Sequence, residues 1–259
     1  MTILHDLIAL YNSLPEDNVY SRVIATLLRE LGRIPALSLE ETAELCGVST
    51  ITISRLLKKI GCGSFRSFRQ QIEDVVEGYP KYNRVIPIPM IDTGKVTDGF
   101  FDCVLNEMGR LRAELDRDAV ARACAMLHEA GQVHICDMYS TGHAKRQLQV
   151  DLCMDGKDVR CHSSLDTGIR PAAGEPAPVV IATVLSMVKN YGDISRGLKT
   201  IHENGCRCIV IISASTPGGV TAHSDCVIRF HGIDSAADNL FIDCIYDVLC
   251  MNYRASYID

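Results

Sequence analysis

Four short apolar runs constrain this chain more than anything else in it: Val133–Cys136, Val159–His162, Val179–Leu185 and Cys208–Ser213. A strand covered on one face alternates polar and apolar residues, whereas one covered on both reads as a continuous run. These runs therefore predict buried strands, with Cys226–Phe230 as a fifth. Helical segments separate them: Gly142–Met154, Asp193–Asn204 and Gly219–Ser224. A last one, Ala236–Arg254, places Leu240, Phe241, Cys244, Ile245, Val248 and Leu249 at helical spacing. Strand–helix–strand alternation implies parallel pairing through right-handed crossovers. The C-terminal part is thus an α/β domain with a parallel sheet.

Upstream the texture differs. Residues 1–78 read as helices joined by short polar turns, an all-α domain. Residues 79–97, YPKYNRVIPIPMIDTGKVT, hold three prolines and little periodicity. Proline lacks a backbone donor and steers the preceding residue away from helix, which predicts a linker. Residues 98–259 form the second domain. A length of 259 residues suits two such domains.

Hydrophobic residues at 47% and charged residues at 22% exclude a disordered chain. No apolar run is long enough to span a bilayer. The start, MTILHDLIALYNSLPEDN, has neither a basic region nor a small-residue cleavage site, so no signal peptide is expected. The twelve cysteines form no CxxC pair, and most sit inside apolar runs, where a reduced thiol behaves as a small hydrophobe. The expectation is a cytoplasmic protein without a metal, a cofactor or a membrane partner.

The segment from Ser38 to Phe68 carries the functional signal. Ser38 and Glu41 have capping-box spacing ahead of a helix whose apolar face is Leu39, Thr42, Ala43 and Cys46. Gly47 permits a tight turn, and Val48 can plug the space between two helices. Ser49 is a good N-cap for a second helix, with Ile53, Leu56, Leu57 and Ile60 facing the core and Gly61 stopping it. This is a helix-turn-helix. Reading DNA requires short hydrogen-bonding side chains near the front of the second helix and cations further along. Thr50, Thr52, Ser54 and Arg55 supply the first, and Lys58, Lys59, Arg66 and Arg69 the second.

Charge placement agrees. The net charge is −6, so any polyanion-binding surface must be local. Residues 49–72 hold five Lys or Arg and no Asp or Glu, whereas residues 1–48 hold three basic and seven acidic residues. Double-stranded DNA is the partner this predicts, with salt-sensitive binding through counterion release.

The stretch LSLEETAELCGVSTITISRLLKKIGCGSFRSFRQQI resembles the N-terminal domain of RpiR-type (MurR/RpiR) bacterial transcriptional regulators. The resemblance covers residues 19–76, and its Gly61–Phe68 turn is the most diagnostic part. It implies that Ser49, Thr50, Thr52, Ser54 and Arg55 lie at or near the groove. It places Lys58, Lys59, Ser64 and Arg66 on the DNA backbone.

The same resemblance implies a sugar-isomerase-type (SIS) domain over residues 98–259, an α/β doubly wound parallel sheet that binds phosphorylated sugars. VHICDMYSTGHAKRQLQVDL is similar to its first strand, phosphate loop and helix. CIVIISASTPGGVTAHSDCVIRF is similar to a later strand, its Ser/Thr-rich loop and the step before the last strand, near Ala222 and Asp225. In open parallel sheets ligands sit beyond the carboxyl ends of strands, and phosphates favour helix N-termini. Ser140, Thr141 and Gly142 follow the first strand, Ser186 the third, and Ser213, Ser215 and Thr216 the fourth. Together they form the candidate effector site. The family's first loop is usually Gly-x-Gly-x-Ser, and here it is Asp137-Met-Tyr-Ser-Thr. Its second is usually Ser-x-Ser-Gly-x-Thr, and here only Ser186 survives. A sugar phosphate, another small anionic metabolite, or a ligand-blind dimerisation domain all stay open.

An SIS-fold sugar-phosphate isomerase is the rival reading. It needs a general base, and His143, His162, His223 and His231 form no acid–base pair with their sequence neighbours. A regulator without catalytic residues is expected. One helix-turn-helix reads few base pairs, so a homodimer, or a dimer of dimers, on a palindromic operator is expected too.

Overall fold

The structure is a computed structural model that describes residues 2–82, 96–136, 143–162, 165–185, 191–233 and 237–258. The chain divides into two compact units, Met1–Asn83 and Arg84–Asp259.

The first unit is helical, with α1 (Thr2–Ser13), α2 (Val19–Arg29), α3 (Leu39–Leu45), α4 (Thr50–Lys59) and α5 (Phe65–Tyr82). A 3-10 turn, Ile34–Ala36, lies between α2 and α3. Leu7, Ile24, Leu27, Ile34, Ile53, Leu56, Phe68 and Ile72 are fully buried in one core. The caps form as the sequence predicts. Ser38 Oγ accepts from Glu41 N while the Glu41 carboxylate accepts from Ser38 N, a closed capping box. At the other end of α3, Gly47 N–H donates to Glu44 O and Val48 N–H to Ala43 O. This closure needs a left-handed residue, which Gly47 supplies at φ 63°. Gly61 ends α4 in the same way.

Helix α5 runs to Tyr82, four residues beyond the expected end at 78. Pro80 sits in its terminal turn, where the missing N–H removes one intrahelical bond and the helix ends two residues later. Of the expected linker, residues 83–95 lie outside the described residues.

The second unit is an α/β sandwich around a five-stranded parallel sheet. Its strands are β1 (Gln132–Cys136), β2 (Asp158–His162), β3 (Val179–Val184), β4 (Arg207–Ser213) and β5 (Cys226–Phe230), in the order β2-β1-β3-β4-β5. Helices α6 (Val96–Glu114), α7 (Arg117–Glu129), α8 (His143–Met154) and α10 (Asp238–Tyr257) share a core with one sheet face. Helix α9 (Tyr191–Glu203) and a 3-10 turn, Gly218–Thr221, cover the other. This is the doubly wound layout expected. Strands β1, β3 and β4 are nearly continuously buried.

Strand β2 is the correction. It forms one edge of the sheet, and only Val159 in it is buried. An edge strand has one neighbour and less cover, so Arg160 and Cys161 reach solvent. The segment expected as helix at Gly219–Ser224 is the shorter 3-10 turn.

Candidate functional site

Helix α4 is built from its cap outward. Ser49 Oγ accepts from Thr52 N at 3.3 Å and lies 3.1 Å from Thr52 Oγ1. Ser54 Oγ donates to Thr50 O at 2.9 Å. Ser64 Oγ accepts from Ser67 N, starting α5. Ile53, Leu56 and Leu57 anchor the inner face. The outer face carries Ser49, Ser54, Arg55, Lys58 and Lys59, Ser64 precedes α5, and the first turns of α5 carry Arg66 and Arg69, all exposed. Thr50 and Thr52 are half-buried.

Among the described residues, Arg55, Lys58, Lys59, Arg66 and Arg69 enter no ion pair. Lys59 Nζ stands 5.6 Å from the Tyr20 ring centroid, a cation–π distance. In the same unit Arg33 is matched by Glu30 at 2.9 Å. The surface therefore gathers unneutralised cations and short hydroxyls on α4 and the start of α5. Such a surface suits a polyanion, since cations already paired would first have to leave their partners.

The second unit holds the strand-end candidates. The order reversal lies between β1 and β3, where ligands bind in open sheets. Ser140, Thr141, Gly142 and Ser186 follow those two strands and lie outside the described residues. At the end of β4, Ser213 is fully buried. Its hydroxyl donates to His231 O at 2.9 Å and lies 3.0 Å from Ser215 Oγ. That hydroxyl ties β4 to the chain leaving β5, so its hydrogen is not offered to an anion. Thr216 differs: it is 5% exposed, and its hydroxyl has no hydrogen-bond partner among the described residues. Asp225 is structural. Its carboxylate accepts from Cys208 N, and its own N–H donates to Cys208 O.

One pairing escapes sequence reasoning altogether. His134 Nδ1 lies 2.9 Å from His162 Nε2, and the rings stack with centroids 5.1 Å apart. The two are 28 residues apart, and only the parallel register that sets His134 against Arg160 and Cys136 against His162 brings them together. Among the described residues no group of three or more His, Cys, Asp or Glu is placed to hold a metal ion.

No family model matches the sequence, and no curated protein matches it. Solved structures do. The Vibrio vulnificus NanR protein complexed with ManNAc-6P matches with a TM-score of 0.50 and 14% identity, over 98% of this chain and 92% of that one. The likeness is one of fold. The sugar isomerase domain of an RpiR transcription factor from Sphaerobacter thermophilus matches with a TM-score of 0.48 and 11% identity, over 62% of this chain and 90% of that one.

Proposed function

We propose that this protein is a sequence-specific DNA-binding transcriptional regulator. Residues 49–66 read a palindromic operator. The domain over residues 98–259 pairs two copies and binds a phosphorylated sugar or another small anionic metabolite. The observation that carries the reading is the outer face of α4, where Arg55, Lys58 and Lys59 stand exposed and without ion pairs behind a capped, hydroxyl-bearing front. In a helix-turn-helix the second helix enters the major groove, and its flanking cations hold phosphates. The fold shared with a NanR structure supports this, and that protein was solved with a phosphosugar.

Within this reading Ser49, Thr50, Thr52, Ser54 and Arg55 face the groove, while Lys58, Lys59, Ser64 and Arg66 contact the backbone. The effector site combines Thr216 with Ser140, Thr141, Gly142 and Ser186. The role is non-enzymatic. A ligand-blind assembly domain is the second reading, favoured by the commitment of the Ser213 hydroxyl to His231 O.

A gel shift against promoter-proximal duplex tests the main reading. Arg55→Ala with Lys58→Ala is expected to weaken the retarded band strongly. Undiminished, sequence-specific retardation would refute the assignment. Thermal shift against a metabolite panel separates the two readings of the second domain.

A further inference from the structure

Resting on the DNA-binding reading, we propose that Ile51 is a specificity-determining residue that reads the C5-methyl group of a thymine in the major groove. Ile51 is 62% exposed, whereas the other exposed large apolar residues of its unit among those described, Ile8, Tyr11 and Val19, reach only 37%, 37% and 39%. It belongs neither to the buried core nor to the partly buried shell packed against it. Helix propensity does not account for it, since a β-branched side chain is a mediocre helix former. An isoleucine standing in water gains by burial, so a surface that covers it would bind more tightly for its presence.

Its neighbours sharpen the argument. Ser49 and Thr52 hydrogen-bond within the first turn, and Ser54 donates back to Thr50 O. Ile51 and Arg55 have no such ties, and at i and i+4 they project from the same face. The front of α4 thus offers one bare apolar group and one bare guanidinium, a helical turn apart. The apolar feature that a duplex displays in its major groove is the thymine methyl, and the features that suit arginine there are guanine O6 and N7.

The test uses the full chain and a duplex selected from a random double-stranded pool. Each thymine of the selected site is replaced in turn by deoxyuracil, which removes only the methyl group. Replacement of the contacted thymine in a single half-site is expected to weaken wild-type binding about fourfold, the loss for one buried methyl group. Ile51→Ala is expected to bind the thymine and deoxyuracil duplexes alike, because the interaction is already gone. The inference is overturned if no replacement affects the wild type, or if Ile51→Ala responds to the same replacement as the wild type does. Those outcomes leave DNA binding standing. Failure to enrich any duplex overturns the DNA-binding reading and this inference with it.

Discussion

His134 Nδ1 and His162 Nε2 meet at 2.9 Å across the first two strands of the sheet, joining its edge strand to its neighbour. One imidazole must donate and the other accept, so the contact requires at least one neutral ring. Burial, with His162 and Arg160 nearby, holds the His134 imidazole below its ordinary value, and Asp158 and Asp166 oppose this only in part. The unfolded chain therefore takes up a proton here as pH falls through about 6.5, before the folded chain does. The stabilising difference is intact above that pH and is lost progressively below it. Thermal unfolding is expected to show the melting temperature of wild type falling more between pH 7.5 and 5.5 than that of His134→Gln. Equal falls would show that the pair is not the sensor.

The capping box of α3 fixes where the helix-turn-helix begins. Ser38→Ala removes the acceptor of the Glu41 N–H. The expected cost is about 1 kcal/mol, as for other N-cap serines. Urea unfolding followed by helical circular dichroism would show it as an earlier first transition. An unchanged transition would mean that α3 is held by packing alone.

Thr216 presents the opposite case. Its buried hydroxyl finds no partner among the described residues, and leaving such a group unmatched costs about 1–3 kcal/mol. Thr216→Val keeps the shape and removes the hydroxyl, so the ligand-free protein is expected to become more stable by about 1 kcal/mol. If the hydroxyl serves an anionic effector, the same variant loses the thermal shift that sugar phosphates give the wild type. A variant that is less stable when ligand-free would contradict this account of the site.

Much of the layout was legible because it depends on local rules. Continuous apolar runs announce β1, β3 and β4, and Ser38, Gly47, Ser49 and Gly61 mark helix ends by their own backbone chemistry. Where partners are distant in sequence the reading stops. The run at Val159–His162 looked like a buried strand because apolarity does not reveal a strand's place in the sheet, and here that place is an edge. The meeting of His134 with His162 depends on a parallel register, which no short-range pattern encodes. Ser213 stood at the expected strand end, but its bond to His231 O required knowing how β5 leaves the sheet. Ile51 fell just outside the spacing of Ile53, Leu56 and Leu57, and only the packed helices show that it stays 62% exposed among the described residues.

The central claim is that the outer face of α4 binds duplex DNA through its unpaired cations, and salt titration of binding tests it most directly. Equilibrium binding of the full chain to its selected duplex is followed by fluorescence anisotropy across a range of salt, for wild type and for Arg55→Ala with Lys58→Ala. Each lost phosphate contact lowers the slope of log affinity against log salt by about 0.9. The double variant is predicted to bind more weakly, with a slope smaller by about 1 to 2. Identical affinity and slope in the two proteins would contradict the claim.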